Sequence, residues 1–177
     1  MAILQIAKMG HPVLRRIAAE VPDPTSPEIA RLSADMRETL EHIGATGIAA
    51  PQVFVEQRVV VYRIPADRIP AEADWGPVPW TTMVNPVITP VTQEQQMVWE
   101  RCLSIPGLHG KVPRFARVTV RYQTLDGEVK ETEAGGSWAM LLQHECDHLD
   151  GMLFPLRMQD LSTLAYNDAP GALSQDV

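Results

Sequence analysis

Hydrophobic side chains between residues 27 and 43 recur at spacings of three and four. The apolar positions are Ile29, Leu32, Met36, Leu40 and Ile43. This spacing predicts an amphipathic helix that buries one stripe against the rest of the protein. Ser26 and Pro27 stand just before the stripe, and a serine N-cap followed by proline is typical of a helix start.

Runs of β-branched residues predict strands in the middle of the chain. Residues 58–64 have this composition, and strand-like sequence resumes at 82–85. The proline-rich segment 65–80 between them is expected to be a surface excursion. Pro86 and Pro90 predict that the chain after residue 85 lies at a sheet edge or in a loop, because proline cannot donate a hydrogen bond to a neighbouring strand.

The strongest hairpin signal surrounds the Asp-Gly pair at residues 126–127. Residues 118–122 and 128–132 flank this pair with a strand-like pattern, and Asp-Gly favours a tight β-turn. Earlier in the chain, the Pro-Gly pair at residues 106–107 is expected to end any regular element.

The last part of the chain is expected to hold only short elements. Residues 152–156 are predicted to form a short strand, and residues 159–166 a short helix that closes the domain. Residues 167–177, which include a Pro-Gly pair, are typical of a flexible C-terminal tail. Residues 1–166 are therefore interpreted as one domain, as expected for a chain of 177 residues.

Composition and charge argue against several classes of function. The formal net charge is −7, from 15 lysines and arginines against 22 aspartates and glutamates, so no basic footprint for nucleic acid or acidic lipid is expected. No apolar run has the length of a membrane span, and the first residues lack the pattern of a signal peptide. The chain is therefore expected in the cytoplasm, or in an organelle only if a transit peptide has been removed.

The chemistry of the chain is concentrated at residues 143–148, which read Gln-His-Glu-Cys-Asp-His. His144 and His148 are four residues apart, so on a helix both rings reach one metal ion from the same face. Glu145 lies near enough to touch a metal-bound water without becoming a ligand. A helix is predicted here because residues 137–142 contain no glycine or proline and a glycine follows the last turn.

Two histidines do not complete a tetrahedral metal site, so a third ligand is needed. Asp150 and Asp160 have unsuitable spacing, and Cys102 is the better candidate because a thiolate is a strong ligand for Zn²⁺ or Fe²⁺. A Cys-His-His site leaves one position open for water, as a catalytic site requires. Cys146, about 200° around the helix from His144, is interpreted as a small core residue.

Three segments, taken in order, resemble the peptide deformylase family. Residues 47–52 are similar to its first motif, residues 100–104 to its Glu-Gly-Cys-Leu-Ser motif, and residues 143–148 to its Gln-His-Glu-x-Asp-His motif. The likeness runs from about residue 3 to about residue 163. Together with the patterns above, it implies an α+β fold with mostly antiparallel sheets around a central helix that carries the metal motif.

The resemblance implies a role for each residue of the site. The implied metal ligands are Cys102, His144 and His148, with water or hydroxide in the fourth position. Glu145 would take a proton from that water and pass it to the departing amine. The side chain of Gln52 and the backbone N–H of Leu103 would stabilise the oxyanion. The implied reaction is hydrolysis of the N-formyl group from the initiator formyl-methionine of newly made polypeptides, which releases formate.

The substrate backbone in this family adds a strand beside the first motif, so Thr46 and Gly47 are expected contacts. The methionine side chain needs an apolar pocket, and a role in the ordinary core is an equally good interpretation of each candidate. The candidates are Val98, Met140 and Leu141. Glu100 is also expected among the substrate contacts. Glu100 and Asp147 look like residues that support the ligands, paired with Arg114 or another buried base.

Three departures from the family pattern bear on the peptide that the chain prefers. The family's first motif begins with a glycine two residues before Gly47, and this chain has Ala45 there. The replacement matters only if that residue needs a positive φ. Arg101 replaces the glycine before the cysteine; its backbone is expected beside bound peptide, and its side chain is expected to narrow the cleft or meet a substrate carbonyl. His109 stands where many relatives carry an arginine that helps to hold the peptide.

The resemblance implies one divalent ion, with Fe²⁺ expected in the cell and Zn²⁺ or Ni²⁺ in purified protein. The expected partners are nascent polypeptides at the ribosome exit. Three alternatives stay open: a zincin-type metalloprotease, which has no use for Cys102; a deformylase-like protein that binds peptides without turnover; and a purely structural metal site. The intact set of site residues argues against the second, and the glutamate beside the first histidine against the third.

Overall fold

The protein is described by a computed structural model that covers residues 2–169. These residues form two α-helices and eight strands. The helices are α1 (Pro27–Ile43) and α2 (Gly136–Leu149). The strands are β1 (Gly47–Ala49), β2 (Val59–Ile64), β3 (Val78–Pro90), β4 (Gln95–Cys102), β5 (Ile105–Phe115), β6 (Arg117–Gln123), β7 (Val129–Gly135) and β8 (Ala165–Tyr166).

The larger sheet has five antiparallel strands in the order β1-β2-β3-β6-β7, so β1 lies at its edge. Side chains alternate along each strand, and both faces of the sheet are buried. On one face, Ile48 lies in a hydrophobic cluster with Met36 and Leu40 of α1. On the other face, Ala49 lies in a cluster with Leu142 of α2. The two helices therefore cover opposite faces of the sheet.

The smaller sheet contains the antiparallel strands β4-β5-β8. Helix α2 contacts β5 of this sheet as well as β1, β2, β3, β6 and β7 of the larger one. The predicted fold is thereby confirmed: antiparallel sheets surround a central helix that carries the metal motif. Neither this helix nor any other in the described part of the chain is long and apolar enough to cross a membrane.

The predicted first helix is present with its predicted start. Pro27 is the first residue of α1, and the Ser26 hydroxyl accepts a hydrogen bond from the backbone N–H of Ile29. The apolar stripe is buried along most of its length; Leu32 is half-buried, and Ile43 at the end of the helix is exposed.

The end of α2 is set by Gly151, as predicted. Its φ of 70° is in the left-handed region that glycine adopts without strain. This conformation lets the N–H of Met152 reach the carbonyl of Asp147 at 2.9 Å, which satisfies a free carbonyl of the last turn. A side chain at residue 151 would also collide with the backbone of Arg15 at 2.7 Å.

The chain after residue 85 continues as strand β3 and does not form a loop. A bulge between Val84 and Val87 accommodates Pro86. The ladder with β2 ends at Val84, and beyond the bulge β3 pairs with β6 alone. The missing N–H of the proline therefore breaks no ladder, and this stretch lies at a local edge of the sheet, the other outcome that the prolines predicted.

The Pro-Gly pair at residues 106–107 does not end regular structure, contrary to expectation. It lies inside β5, which pairs with β4 along its whole length as far as Cys102 and Ile105. Leu103 and Ser104 form the turn between these strands. The register shifts between Arg101 and Cys102, where Gly107 supplies a positive φ of 80°. A bulge accommodates the pair without ending the hairpin.

Two predictions for the C-terminal part are wrong. Residues 152–156 contain the 3₁₀ turn Phe154–Leu156 instead of a strand, and residues 159–166 contain the 3₁₀ turn Leu161–Thr163 followed by β8 instead of a helix. Pairing of β8 with β5 outweighs the local helix propensity. The predicted tail begins with Asn167, whose side chain contacts His109 at 3.0 Å; from residue 170 onward it lies outside the described residues.

Candidate active site

Edge strand β1, the β4–β5 hairpin and helix α2 meet around a cavity of about 340 Å³. Cys102 is the last residue of β4 and directly precedes the two-residue turn of the hairpin. His144 and His148 lie one turn apart on α2. The hairpin brings the cysteine to the helix across a separation of more than forty residues in sequence.

The side chains of Cys102, His144 and His148 form one cluster. Their ligand atoms all lie within 4.8 Å of one another, and Cys102 Sγ is 3.4 Å from His148 Nε2. A tetrahedral ion with a thiolate at about 2.3 Å and an imidazole at about 2.05 Å separates these two atoms by about 3.6 Å. The donor types and their spacing therefore fit one divalent ion with three protein ligands.

Buried ion pairs support His144 from behind. Glu100 Oε2 lies 2.7 Å from His144 Nδ1, which leaves Nε2 for the metal. Arg114 donates to both oxygens of Glu100, at 2.6 and 3.0 Å, and to Asp147 at 2.6 Å. Arg157 donates two further hydrogen bonds to Asp147 from the surface. The expected pairing of Glu100 and Asp147 with Arg114 is present, and Arg157 extends it.

This network sets the charge states around the ligands. Burial raises the pKa of Glu100, but hydrogen bonds from His144 and Arg114 outweigh burial and lower that pKa to about 2. Glu100 therefore stays ionised and fixes the orientation of the imidazole. Burial and the neighbouring His144 lower the pKa of His148 well below its usual value, so His148 is held in the neutral form that binds metals.

Arg114→Ala is expected to lower the free energy of unfolding by roughly 3–5 kcal/mol, because it leaves two buried carboxylates without their partner. Metal affinity is expected to fall by about 10- to 100-fold, because Glu100 then no longer fixes His144. Denaturant unfolding and metal titration measure the two effects. Arg157→Ala is the control: its side chain is 43% exposed, and a loss of about 1 kcal/mol or less is expected. Wild-type metal affinity in Arg114→Ala would contradict the supporting role.

The carboxyl group of Glu145 lies beside the cluster of metal ligands and lines the cavity. Burial raises the pKa of Glu145 to about 7. The positive charge of His144 acts to lower this pKa, and the negative charge of Glu100 acts to raise it. Its Oε2 has no hydrogen-bond partner within residues 2–169. A buried carboxyl group that titrates near neutrality and faces a cavity is suited to general acid–base chemistry.

Gly47 allows β1 to approach this carboxylate. A Cβ at residue 47 would lie 2.5 Å from Glu145 Oε1 and 2.9 Å from Leu141 Cδ1. Gly47→Ala is therefore expected to displace Glu145 and to lower kcat by about 100-fold with the metal retained, as a 1 Å misplacement of a catalytic group does. Turnover and metal content are measured together. Gly76→Ala, where an added Cβ meets nothing within 4 Å, is the matched control, and equal rates in both variants would refute the steric argument.

The amide of Gln52 is held in one orientation. Its Oε1 accepts a hydrogen bond from the backbone N–H of Ala49 at 2.8 Å. Its Nε2 then lies 3.3 Å from Ser104 Oγ and 3.6 Å from Cys102 Sγ. Gln52 and Leu103 both line the cavity, so a side-chain amide and the hairpin turn meet beside the metal ligands.

Most residues expected to contact substrate line the same cavity. They are Thr46, Gly47, Glu100, Arg101, Met140 and Leu141. Val98 is not among the lining residues; it is half-buried in a cluster with Val112 and Phe154. Val98 lies four positions before Cys102 along β4, about 13 Å at 3.3 Å per residue, and its side chain packs in this cluster and not at the cavity.

Several residues of the site were missed in the sequence. Arg68 and Trp99 line the cavity, Ser104 contacts Gln52, and Arg157 completes the ion pairs. Ser104 belongs to the second motif, so the motif itself could have indicated it. Arg68 and Arg157 lie in segments without any motif, and only the folded chain brings them to the site.

The structure also bears on the departures from the family pattern. Among the described residues, the non-glycine residues with positive φ are Phe54 and Asn85, so Ala45 replaces a glycine without backbone strain. His109 is buried and is absent from the lining of the cavity, so it is not placed to hold a peptide. Cys146 is buried and does not belong to the cluster of metal ligands. Burial raises the pKa of its thiol to about 12, as suits a core residue.

An α+β domain with a buried Cys-His-His cluster, in which Cys102, His144 and a buried glutamate line one cavity, is typical of a metal-dependent hydrolase. The sequence model of a family described as Polypeptide deformylase matches residues 3–163. Peptide deformylase 1 of Nitrosomonas europaea is 40% identical over 178 residues, which cover 98% of this chain and 99% of that protein. Peptide deformylase 1 of Bordetella pertussis is 44% identical over 166 residues, which cover 92% of each.

Solved structures agree with the sequence comparison. The Met-Ala-Ser-bound class I type b peptide deformylase of Acinetobacter baumannii is 38% identical, with a TM-score of 0.79, 88% of this chain covered and 98% of that one. Peptide deformylase of Ehrlichia chaffeensis in complex with actinonin is 31% identical, with a TM-score of 0.82 and 92% of each chain covered. The chain belongs to the peptide deformylase family, whose known reaction is the deformylation of N-formyl-methionyl polypeptides. This assignment argues against the zincin-type alternative.

Proposed function

We propose that Glu145, Gln52 and Leu103 carry out the deformylation of formyl-methionyl polypeptides at the Cys102-His144-His148 metal site. The observation that supports the proposal most directly is the buried carboxyl group of Glu145 beside the ligand cluster in one cavity. Gln52 and Leu103 line the same cavity. A base, a metal site and hydrogen-bond donors thus surround the space in which a formyl carbon can lie.

The chain supplies the proton transfers of the reaction. Cys102, His144 and His148 would hold a divalent ion, which would supply the Lewis acidity that lowers the pKa of water. Glu145 accepts the proton that the attacking water loses. When the C–N bond of the formamide breaks, Glu145 passes this proton to the methionine nitrogen, and formate and a free amine leave. A pKa of about 7 suits a group that must both accept and donate.

Negative charge develops on the formyl oxygen as water attacks. Gln52 Nε2 is the side-chain donor for this charge, and its direction is fixed because Oε1 is already bonded to Ala49. The backbone N–H of Leu103 in the hairpin turn is the second donor. Donors that are held in place before the reaction stabilise the charge without reorganising.

The open edge of β1 is the site for the substrate backbone. The carbonyl of Thr46 accepts a hydrogen bond from the backbone N–H of Arg63 in β2 at 2.9 Å, so the N–H and C=O of the next residue, Gly47, point to the open edge. An extended peptide can pair with these groups as an added strand. Met140 and Leu141 then offer apolar surface to the methionine side chain. The Met-Ala-Ser bound to the Acinetobacter baumannii relative supports a peptide that begins with methionine.

The metal and the cellular setting complete the proposal. A thiolate with two imidazoles suits Fe²⁺ as well as Zn²⁺, and peptide deformylases commonly use Fe²⁺ and lose it to oxidation, so Fe²⁺ is the ion proposed for the cell. The substrate is a newly made polypeptide. The proposed place of action is therefore the cytoplasm, close to the ribosome exit.

Anaerobic release of formate from formyl-Met-Ala-Ser tests the function and the metal together. Protein loaded with Fe²⁺ is expected to release one formate for each new amino terminus, with a higher kcat/KM than protein loaded with Zn²⁺. Acetyl-Met-Ala-Ser is the control substrate and is expected to stay intact. Absence of formate from the Fe²⁺-loaded protein would contradict the proposed function, and equal rates with both metals would contradict the preference for Fe²⁺.

A further inference from the structure

A second cavity, of about 230 Å³, adjoins the catalytic cavity. The two share wall residues at 44–46 and Arg68. The catalytic cavity is bounded by α2, whereas the second cavity is bounded by Leu40 and Glu41 of α1 and by Arg63 and Trp80 of the larger sheet. Since α1 and α2 cover opposite faces of this sheet, the two cavities flank the edge strand β1 from opposite sides.

A peptide strand added along β1 presents its side chains to the two cavities in turn, because neighbouring side chains of a strand point to opposite faces. This step rests on the proposed function, which places the formyl-methionine end in the catalytic cavity. With the methionine side chain on the α2 face, beside Met140 and Leu141, the next side chain points to the α1 face. The second residue of the substrate therefore faces the second cavity.

The wall of this cavity carries an excess of positive charge. The ion pairs found among the described residues include neither Arg63 nor Arg68. Of the two carboxylates at the wall, Glu41 is paired with Arg37 at 3.7 Å, and Asp67 is exposed. The wall thus offers two guanidinium groups against one unpaired carboxylate.

The geometry of the two arginines places their charge where a substrate side chain would lie. Arg63 is half-buried, with its guanidinium 5.0 Å from the centre of the Trp80 ring, so the indole holds it at the wall. Arg68 lies in the turn that follows β2 and borders both cavities, so it stands where the peptide leaves the catalytic cavity. A guanidinium recognises a carboxylate through paired hydrogen bonds.

We propose that the second cavity binds the side chain of the second substrate residue and that Arg68, together with Arg63, selects a carboxylate there. The preferred substrates then carry glutamate or aspartate directly after formyl-methionine. Arg68 acts as a specificity-determining residue, because it recognises a side chain away from the reacting formyl group. The selectivity is local, in a chain whose net charge of −7 would otherwise disfavour acidic peptides.

The test compares formyl-Met-Glu-Ser with formyl-Met-Gln-Ser, both with an amidated C-terminus so that the glutamate side chain is the only carboxylate. Wild-type protein is expected to prefer the glutamate peptide by roughly three- to fivefold in kcat/KM, mainly through KM, as one solvent-accessible ion pair allows. High salt is expected to reduce this ratio towards one. Arg68→Gln is expected to bring the ratio close to one at low salt as well.

Arg121→Gln is the matched control, because Arg121 is an exposed arginine on β6 that borders neither cavity. It is expected to keep the wild-type ratio. A ratio of one or less in wild-type protein that deformylates both peptides would overturn the proposed selectivity and leave the proposed function standing. No formate from either peptide would overturn both.

The assignment to the second residue is tested with formyl-Met-Ser-Glu and formyl-Met-Ser-Gln, again amidated. A ratio close to one is expected for this pair. A preference for glutamate at the third residue and none at the second would show that the third side chain, and not the second, faces the second cavity. That result would overturn the assignment of the cavity. An unchanged ratio in Arg68→Gln would likewise remove Arg68 from the recognition.

Discussion

Replacement of Glu145 by glutamine is expected to lower kcat for formate release by about 10²- to 10⁴-fold, the range that a positioned general base contributes. Glutamine keeps the size of the side chain but cannot accept the proton of the attacking water. Glu145 lies outside the ligand set of Cys102, His144 and His148, so the bound metal is expected to stay. Formate release at saturating peptide and metal analysis of the same sample measure both parts of the expectation.

Glu131→Gln is the matched control for this experiment, since Glu131 is an exposed glutamate on β7. It is expected to retain wild-type kcat and metal content. A Glu145→Gln enzyme within tenfold of this control would show that the proton moves through another group. Loss of metal in Glu145→Gln would instead indicate that the carboxylate is a ligand.

Cys102→Ser is expected to weaken metal binding by more than about 100-fold, beyond the effect of losing a residue that merely supports a ligand. A serine hydroxyl does not ionise near neutral pH, so the site keeps two imidazoles and loses its anionic ligand. Activity is expected to fall with metal content. Metal titration against a competing chelator, followed by formate assay at each metal concentration, connects the two losses.

The second cysteine of the chain provides the control for Cys102→Ser. Cys146 is buried on the far side of α2, and Cys146→Ala is expected to keep wild-type metal affinity while losing some stability. Wild-type metal affinity in Cys102→Ser would mean that another side chain completes the site. That result would reopen the zincin-type arrangement considered from the sequence.

The parts of the structure that local sequence determines were predictable. Ser26 and Pro27 mark the start of α1, and the Asp-Gly pair at 126–127 joins β6 to β7. The helical spacing of His144 and His148 places both rings beside one site. In each of these cases the relevant interactions lie within a few residues along the chain, so periodicity and turn chemistry suffice.

Long-range pairing decided the elements that were predicted wrongly. The Pro-Gly pair at 106–107 is compatible with a strand because β4 pairs beside it and a bulge takes up the irregularity. Residues 165–166 form a strand because β5 offers them an edge. Neither partner is visible in the local pattern, so local propensity pointed to the end of an element in one case and to a helix in the other.

The same distinction holds for the site. The motifs indicated the ligands and Glu145, but Arg157 reaches Asp147 and Arg68 reaches the cavity only after folding. Val98 illustrates the opposite case, because a suitable apolar residue close in sequence to Cys102 packs with Val112 and Phe154 and does not line the cavity. The ligand cluster that the motifs predicted is present, whereas the surroundings that determine support and specificity could not be predicted.

X-ray absorption at the metal edge of the Zn²⁺-loaded protein tests the metal site most directly. In the wild-type protein we expect one sulfur at about 2.3 Å and two imidazole nitrogens at about 2.0–2.1 Å, with the sulfur absent in Cys102→Ser. A wild-type spectrum that contains only nitrogen and oxygen ligands would contradict the assignment of Cys102, and with it the site on which the proposed chemistry depends.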